Sequence, residues 1–126
     1  MPLPTPPVGV IGFGLMGSVK TRRLLDANFL VLPHDIDLAK CRKAEPMGAL
    51  PGPPEQMARA CEQVVLALFE TSEVEAMVRG DLASSGCELV VICTSTCDPL
   101  RIAILAAGCG PLRFLEAPVS GTSEQV

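Results

Sequence analysis

Gly12, Gly14 and Gly17, in the run VGVIGFGLMG from residue 8 to 17, are the residues whose type and spacing point most directly to chemistry. The pattern Gly-x-Gly-x-x-Gly follows a short apolar strand-like stretch and precedes the helix-compatible SVKTRRLLDA. That context lets backbone amides approach a pyrophosphate. A glycine at 12 permits a tight strand-to-helix turn, and one at 14 removes the Cβ where phosphate must come close. One at 17 lets the helix pack against the sheet. The helix start then offers unpaired N–H groups and the positive end of its dipole. Asp35 stands after the apolar Phe29, Leu30, Val31 and Leu32, at the tip of a second strand. A carboxylate there can accept both hydroxyls of an adenosine ribose and repel a 2′-phosphate, which favours NAD over NADP. Asp37 competes for that role, and Lys40, Arg42 and Lys43 are bases near enough to admit NADP. Alternatively, Asp35 and Asp37 cap a short helix starting near Leu38.

The elements that must hold these residues follow a simple alternation. At 126 residues the chain is one domain by length, large enough to bury roughly two-thirds of its unfolded surface. Strand-like apolar runs alternate with helix-like stretches, which predicts an α/β domain: a Rossmann-type, doubly wound, mostly parallel sheet flanked by helices. Strands are expected at Val8 to Ile11, through Phe29 to Leu32, weakly at Gly48 to Leu50, and at Val64 to Phe69, Leu89 to Cys93 and Arg113 to Glu116. The run Pro51, Gly52, Pro53, Pro54 opens a helix through Met57, Ala58 and Cys61. Thr71 or Ser72 is expected to cap a helix carrying Val74, Met77 and Val78. Asp98-Pro99 opens another through Ile102, Ile104 and Leu105, ended by Gly108 and Gly110. Pro33 conflicts with a central second strand, because proline lacks a ladder donor. Either that strand ends at Leu32 or a bulge re-aims His34 and Asp35. His34 reads as a neighbour of the adenosine pocket rather than a catalyst.

Composition excludes other classes. The net charge is −4 and the ten basic residues are scattered, so nucleic acid is not an expected partner. No apolar run is long enough for a bilayer span. The opening MPLPTPP has neither a charged nor an apolar signal region, and no transit peptide is evident. A cytoplasmic chain is expected, with a flexible lead-in over residues 1–7 and a dinucleotide-binding domain over 8–126. The six cysteines show no CxxC spacing and read as reduced, small core hydrophobes. A single histidine and no cysteine knuckle argue against zinc. Cys97 as a nucleophile beside the cofactor lacks a histidine base.

Two further segments, STCDP from Ser95 to Pro99 and EAPVSG from Glu116 to Gly121, join GFGLMG. Together the three resemble the β-hydroxyacid dehydrogenase family, which includes 3-hydroxyisobutyrate dehydrogenase, tartronate semialdehyde reductase and 6-phosphogluconate dehydrogenase. The resemblance runs from about Val8 to the last residues. It implies that Gly12, Phe13, Gly14, Leu15, Met16 and Gly17 cradle the pyrophosphate of NAD or NADP. It puts Asp35 where NAD-preferring members carry an acid, and Leu68 and Phe69 in a loop over adenosine and ribose. Thr96 approaches the nicotinamide side, and Ser120, Gly121 and Thr122 fall in the segment that holds the substrate's carboxylate. The implied reaction is hydride transfer between the nicotinamide cofactor and a small 3-hydroxy acid.

The chain also departs from the family. Glu70 replaces a common proline, Glu116 replaces the usual Asp, and Thr122 stands where a second glycine is frequent. The family's general-acid lysine and its helical, dimer-forming domain match positions beyond Val126, and none of Lys20, Lys40 or Lys43 matches that lysine. No catalytic residue is therefore assigned here. The expectation is a truncated cofactor domain that is inactive alone, with homo-oligomers a property of the full-length family. The alternative is a non-catalytic nucleotide-binding or partner-binding module. A methyltransferase shares the glycine loop and strand-end acid, but STCDP and APVSG argue against it.

Overall fold

Among the described residues, short runs become five strands: β1 Val8–Ile11, β2 Val31–His34, β3 Gln63–Leu66, β4 Val90–Cys93 and β5 Arg113–Glu116. All pair in parallel, in the order β2-β1-β3-β4-β5. Parallel neighbours need crossovers, and these carry α1 Leu15–Asp26, α2 Leu38–Arg42, α3 Pro54–Ala60, α4 Thr71–Met77 and α5 Pro99–Ala107. A wide π-type turn, Val78–Leu82, extends α4 and is kinked at Gly80. The computed structural model describes residues 6–42 and 53–119. The weak third strand expected at Gly48 to Leu50 lies outside them, as do Pro51 and Gly52.

Alternation along the strands splits the core between the two faces of the sheet. Ile11, Val64, Leu66, Val91 and Cys93 pack with Met57 of α3, Val74 of α4, Val78 and Leu82 of the π turn, and Ile102 and Leu105 of α5. On the other face Val10, Phe13 and Val31 pack beneath Leu24 and Leu25 of α1. This is the doubly wound arrangement. Ile104, on the expected helix, faces outward at 57% exposure.

Helix ends follow local chemistry. The Asp98 carboxylate caps α5 by accepting the Leu100 and Arg101 amides at 2.9 and 3.1 Å, and Pro99 follows at the first helical position. Asn28, at φ 67°, ends α1. Phe29 N donates to Leu24 O and Asn28 N to Leu25 O, both at 3.0 Å, the Schellman pattern.

Three expectations are corrected. The second strand is Val31–His34, so Phe29 and Leu30 belong to the connection and Pro33 lies within an unbroken strand. Among the described residues β2 is the outer strand. The carbonyls of Leu30, just before it, and of His34, its last residue, accept from Val8 and Gly12 on the β1 side. By alternation Pro33 turns its nitrogen away from β1, where no donor is needed. The strand expected over Val64 to Phe69 starts at Gln63 and ends at Leu66, which frees Leu68 and Phe69 to form a loop. Finally, Glu70 rather than Thr71 or Ser72 caps α4, in a reciprocal capping box with Glu73. Thr71 instead accepts the Asp98 amide through Oγ1 at 3.0 Å, tying the start of α4 to the start of α5.

Arg101 of α5 pairs with Glu75 of α4, and Arg79 lies 3.9 Å from the same carboxylate. The Arg101 hydrogen bond holds the Glu75 carboxyl below its ordinary range. A carboxyl whose folded-state pKa is depressed adds stability above its unfolded pKa and loses it as pH falls through the lowered value. Glu75→Gln should therefore lower Tm at neutral pH, and the two proteins' melting curves should converge on acidification. In the core, Leu66→Ala should cost about 2–5 kcal/mol by urea unfolding, because Leu66 is 0% exposed.

Candidate functional site

A cleft of about 940 Å3 opens beyond the carboxyl ends of β1, β2, β3 and β4, against the start of α1. Open parallel sheets place their ligand crevices at such an edge. The glycine loop forms one wall. Gly12 sits at φ +97° and a Cβ there would strike the Ala67 carbonyl, so only glycine fits the turn. A Cβ at Gly17 would overlap the Gly12 carbonyl, which shows how closely the first turn of α1 rests on the loop. Gly14 has nothing within 4 Å of its Cβ position and stands open to the cleft.

The first bond of α1 runs from Ser18 N to Gly14 O at 2.9 Å, and Ser18 Oγ donates to the same carbonyl at 2.6 Å. The amides of Leu15, Met16 and Gly17 therefore have no carbonyl to donate to inside the helix. No acidic side chain lies in that first turn, so the positive end of the dipole is not offset by the helix itself.

The second wall is built around Asp35. Its Oδ2 accepts the Phe13 amide at 2.8 Å and its Oδ1 accepts the Asp37 amide at 2.9 Å. Cys41 Sγ donates to the Asp35 carbonyl at 3.1 Å and accepts its amide at 3.3 Å, which holds the backbone from the α2 side. Asp37 Oδ1 accepts the Ala39 amide at 2.9 Å, so Asp37 is the helix cap. Asp35 instead closes on the glycine loop. The Phe13 side chain, 1% exposed, is part of the core, and only its backbone reaches the loop.

The remaining wall comes from loops after β3 and β4. Leu68 donates its amide to Ser95 Oγ at 2.8 Å, and Thr94 Oγ1 donates to Leu66 O at 2.8 Å. These bonds bind the two loops together. Phe69 projects at 89% exposure, and Thr96 is exposed on the same cleft. Gly12, Gly14, Leu15, Met16, Gly17, His34, Asp35, Leu68, Phe69 and Thr96 thus line one cleft. Ser120, Gly121 and Thr122 lie outside the described residues. Val119, just before them, lines the cleft.

Sequence reasoning missed Lys20, Glu73, Met77 and Asp81 as cleft residues. The signal was present as helical spacing. Lys20 follows Met16 by one turn, and Glu73, Met77 and Asp81 form a stripe one position before the buried Val74, Val78 and Leu82. Partial burial lowers the Lys20 pKa. Among the described residues, Lys20 and Lys40 are the lysines lining the cleft, together with Asp35, Asp37, Glu73 and Asp81. Among the described residues no cluster of three or more His, Cys, Asp or Glu side chains could hold a metal, and no helix is long and apolar enough to cross a membrane.

Residues 7–126 match the NAD binding domain of 6-phosphogluconate dehydrogenase. The chain belongs to that family. Solved structures share the fold. A 3-hydroxyisobutyrate dehydrogenase from Salmonella typhimurium is 23% identical with a TM-score of 0.84, covering 94% of this chain and 43% of that one. An imine reductase variant from Myxococcus stipitatus, in complex with NAD+, is 14% identical with a TM-score of 0.87, covering 97% and 43%. A reductive aminase from Aspergillus terreus, in complex with NADPH, is 18% identical with a TM-score of 0.81, covering 97% and 43%. The chain therefore spans less than half the length of these proteins. A search of curated proteins found no match.

The loop geometry makes two neighbouring glycines behave differently. Gly17→Ala should destabilise the fold by about 1–3 kcal/mol or more through overpacking. Gly14→Ala, with open space before it, should stay within about 1 kcal/mol of the parent. Urea denaturation of the two variants measures both.

Proposed function

We propose that this chain binds NAD in preference to NADP, as the cofactor domain over residues 8–126 of a β-hydroxyacid dehydrogenase. The observation that carries this reading is the Asp35 carboxylate held on the glycine loop at 2.8 Å from Phe13 N, beside the open amides of α1. The residues fit such a cofactor. An ionised carboxylate has about four lone-pair sites, and Asp35 uses two on the Phe13 and Asp37 amides. The rest can accept ribose hydroxyls. The amides of Leu15, Met16 and Gly17 offer donors to a pyrophosphate, and the open space at Gly14 admits it.

Cofactor preference follows from charge. Asp35 and Asp37 together would face a 2′-phosphate, with Lys40 the nearby cleft cation opposing them. Leu68 and Phe69 would cover the adenosine side, and Thr96 the nicotinamide side. When bound, the nicotinamide supplies the hydride acceptor for oxidation of a carbinol carbon. Ser120, Gly121 and Thr122 are proposed to hold the carboxylate of a small 3-hydroxy acid, so that its carbinol carbon faces that acceptor. None of Lys20, Lys40 or Lys43 stands at the position of the family's acid–base lysine. Turnover is therefore proposed to use a proton-transfer group other than these three lysines, a contribution of about 10²–10⁴ in rate.

Calorimetric titration with NAD and NADP in parallel tests the reading. NAD should bind more tightly, and Asp35→Ala should weaken NAD by about tenfold or more while narrowing the gap between the two cofactors. A folded chain that binds neither, or an Asp35→Ala variant that binds NAD as well as the parent, would remove the basis for the proposal.

A further inference from the structure

Cys93 closes β4 and Cys97 lies in the loop before α5, with their Sγ atoms 4.0 Å apart. The two sulfurs are unequal. Cys93 is 0% exposed, and burial pushes its thiol up to about 11, so it is inert by itself. Cys97 is half-buried, packs against the same core and retains access to solvent. The other sulfurs lie elsewhere: Cys41 on the Asp35 backbone, Cys87 against the Ser85 carbonyl at 3.7 Å, and Cys109 on the Ala106 and Leu112 carbonyls, while Cys61 is buried. The three residues that Cys93 and Cys97 enclose, Thr94, Ser95 and Thr96, all line the cleft. Ser95 Oγ also takes the Leu68 amide that joins the two loops. A disulfide requires sulfurs about 2.0 Å apart, so bonding would draw Cys97 toward β4 and pull this wall of the cleft with it.

We propose that Cys93 and Cys97 form a reversible dithiol site that a peroxide converts to a disulfide, deforming the Thr94–Thr96 wall and weakening dinucleotide binding. Cys97 is the sulfur that meets the oxidant, and Cys93 resolves it. The Cys97 thiolate attacks one peroxide oxygen. An S–O bond forms, the O–O bond breaks, and the released hydroxide becomes water with the proton that Cys97 lost. The Cys93 sulfur then attacks the sulfenic sulfur of Cys97. The S–S bond forms, the S–O bond breaks, and the departing hydroxide takes the Cys93 proton as water. Two thiols are oxidised for each hydrogen peroxide reduced to two waters, and an external dithiol reverses the change. The binding half of this proposal rests on the cofactor reading above, whereas the disulfide itself does not.

The test treats the reduced chain with hydrogen peroxide, blocks remaining thiols with iodoacetamide in denaturing urea, and maps the products by mass spectrometry. The expected result is a loss of two hydrogens, a Cys93–Cys97 link, alkylation at the other cysteines, and full reversal by dithiothreitol. NAD titration should then show about tenfold weaker binding to the oxidised chain, the scale of one displaced hydrogen bond. Peroxide should lose that effect in Cys97→Ser. A stable sulfinate at Cys97 with no link, or a link to a different cysteine, overturns the proposal. Equal NAD affinity of the linked and reduced chains overturns the effect on binding. A link that forms in a folded chain binding no NAD in either state upholds the dithiol site and overturns the cofactor reading instead. The mapping uses the unaltered chain, so it decides the matter even where a cysteine variant fails to fold.

Discussion

The contact between the Asp35 carboxylate and the Phe13 amide, 2.8 Å across the ends of two neighbouring strands, orders the whole edge of the sheet. Gly12 N donates to the His34 carbonyl at 2.8 Å just before it, which makes the glycine loop a continuation of the β1–β2 pairing. The Phe13 side chain anchors the loop from below, in the core under α1. With the loop held at both levels, Gly17 can seat α1 directly on the Gly12 carbonyl. The first turn of the helix is thereby aimed at the cleft. A carboxylate hydrogen-bonded to a backbone amide is a charge-assisted contact and stronger than a neutral one, which suits a joint on which several elements converge.

The opposite side of the cleft is organised by helical periodicity. Val74, Val78 and Leu82 fasten α4 and its π turn to the sheet, and the adjacent stripe of Glu73, Met77 and Asp81 faces the cleft. One set of side chains holds the helix and the next set meets whatever enters. Just beyond the kink at Gly80, Asp81 lines the cleft and Leu82 stays in the core. Ser95 does comparable work for the loops. It is buried, and its hydroxyl fixes Leu68 to the segment after β4.

The shared fold at 14–23% identity has a physical basis. Strand alternation, a few glycines and the placement of caps constrain the architecture, and many side chains satisfy them. An imine reductase and a hydroxyacid dehydrogenase both carry this scaffold. Chemistry is therefore decided by residues added to the scaffold and not by the scaffold itself.

The legible parts of this protein were local ones. Gly12, Gly14 and Gly17 announced the loop because their spacing, between a strand and a helix, is a pattern confined to a few residues, and Asp98-Pro99 announced α5 because a cap bonds to the next turn. Membership in a parallel α/β class followed from alternating runs alone. Three features could not be read that way. Whether Pro33 was tolerable depended on which strand it adjoined, and strand order is a through-space property. Thr71 looked like a cap for α4 until tertiary packing gave its hydroxyl the Asp98 amide and left Glu70 to cap the helix. Spacing favoured Asp35 over Asp37 without excluding the latter, and the return of the glycine loop to within hydrogen-bonding distance of Asp35, with Asp37 capping α2, separated their roles. The sequence by itself determined the elements and the loop, because turns, caps and alternation are short-range. Only the tertiary structure decided which carboxylate closes on the glycine loop and which sulfurs meet, because those depend on strands and helices distant in the chain arriving side by side.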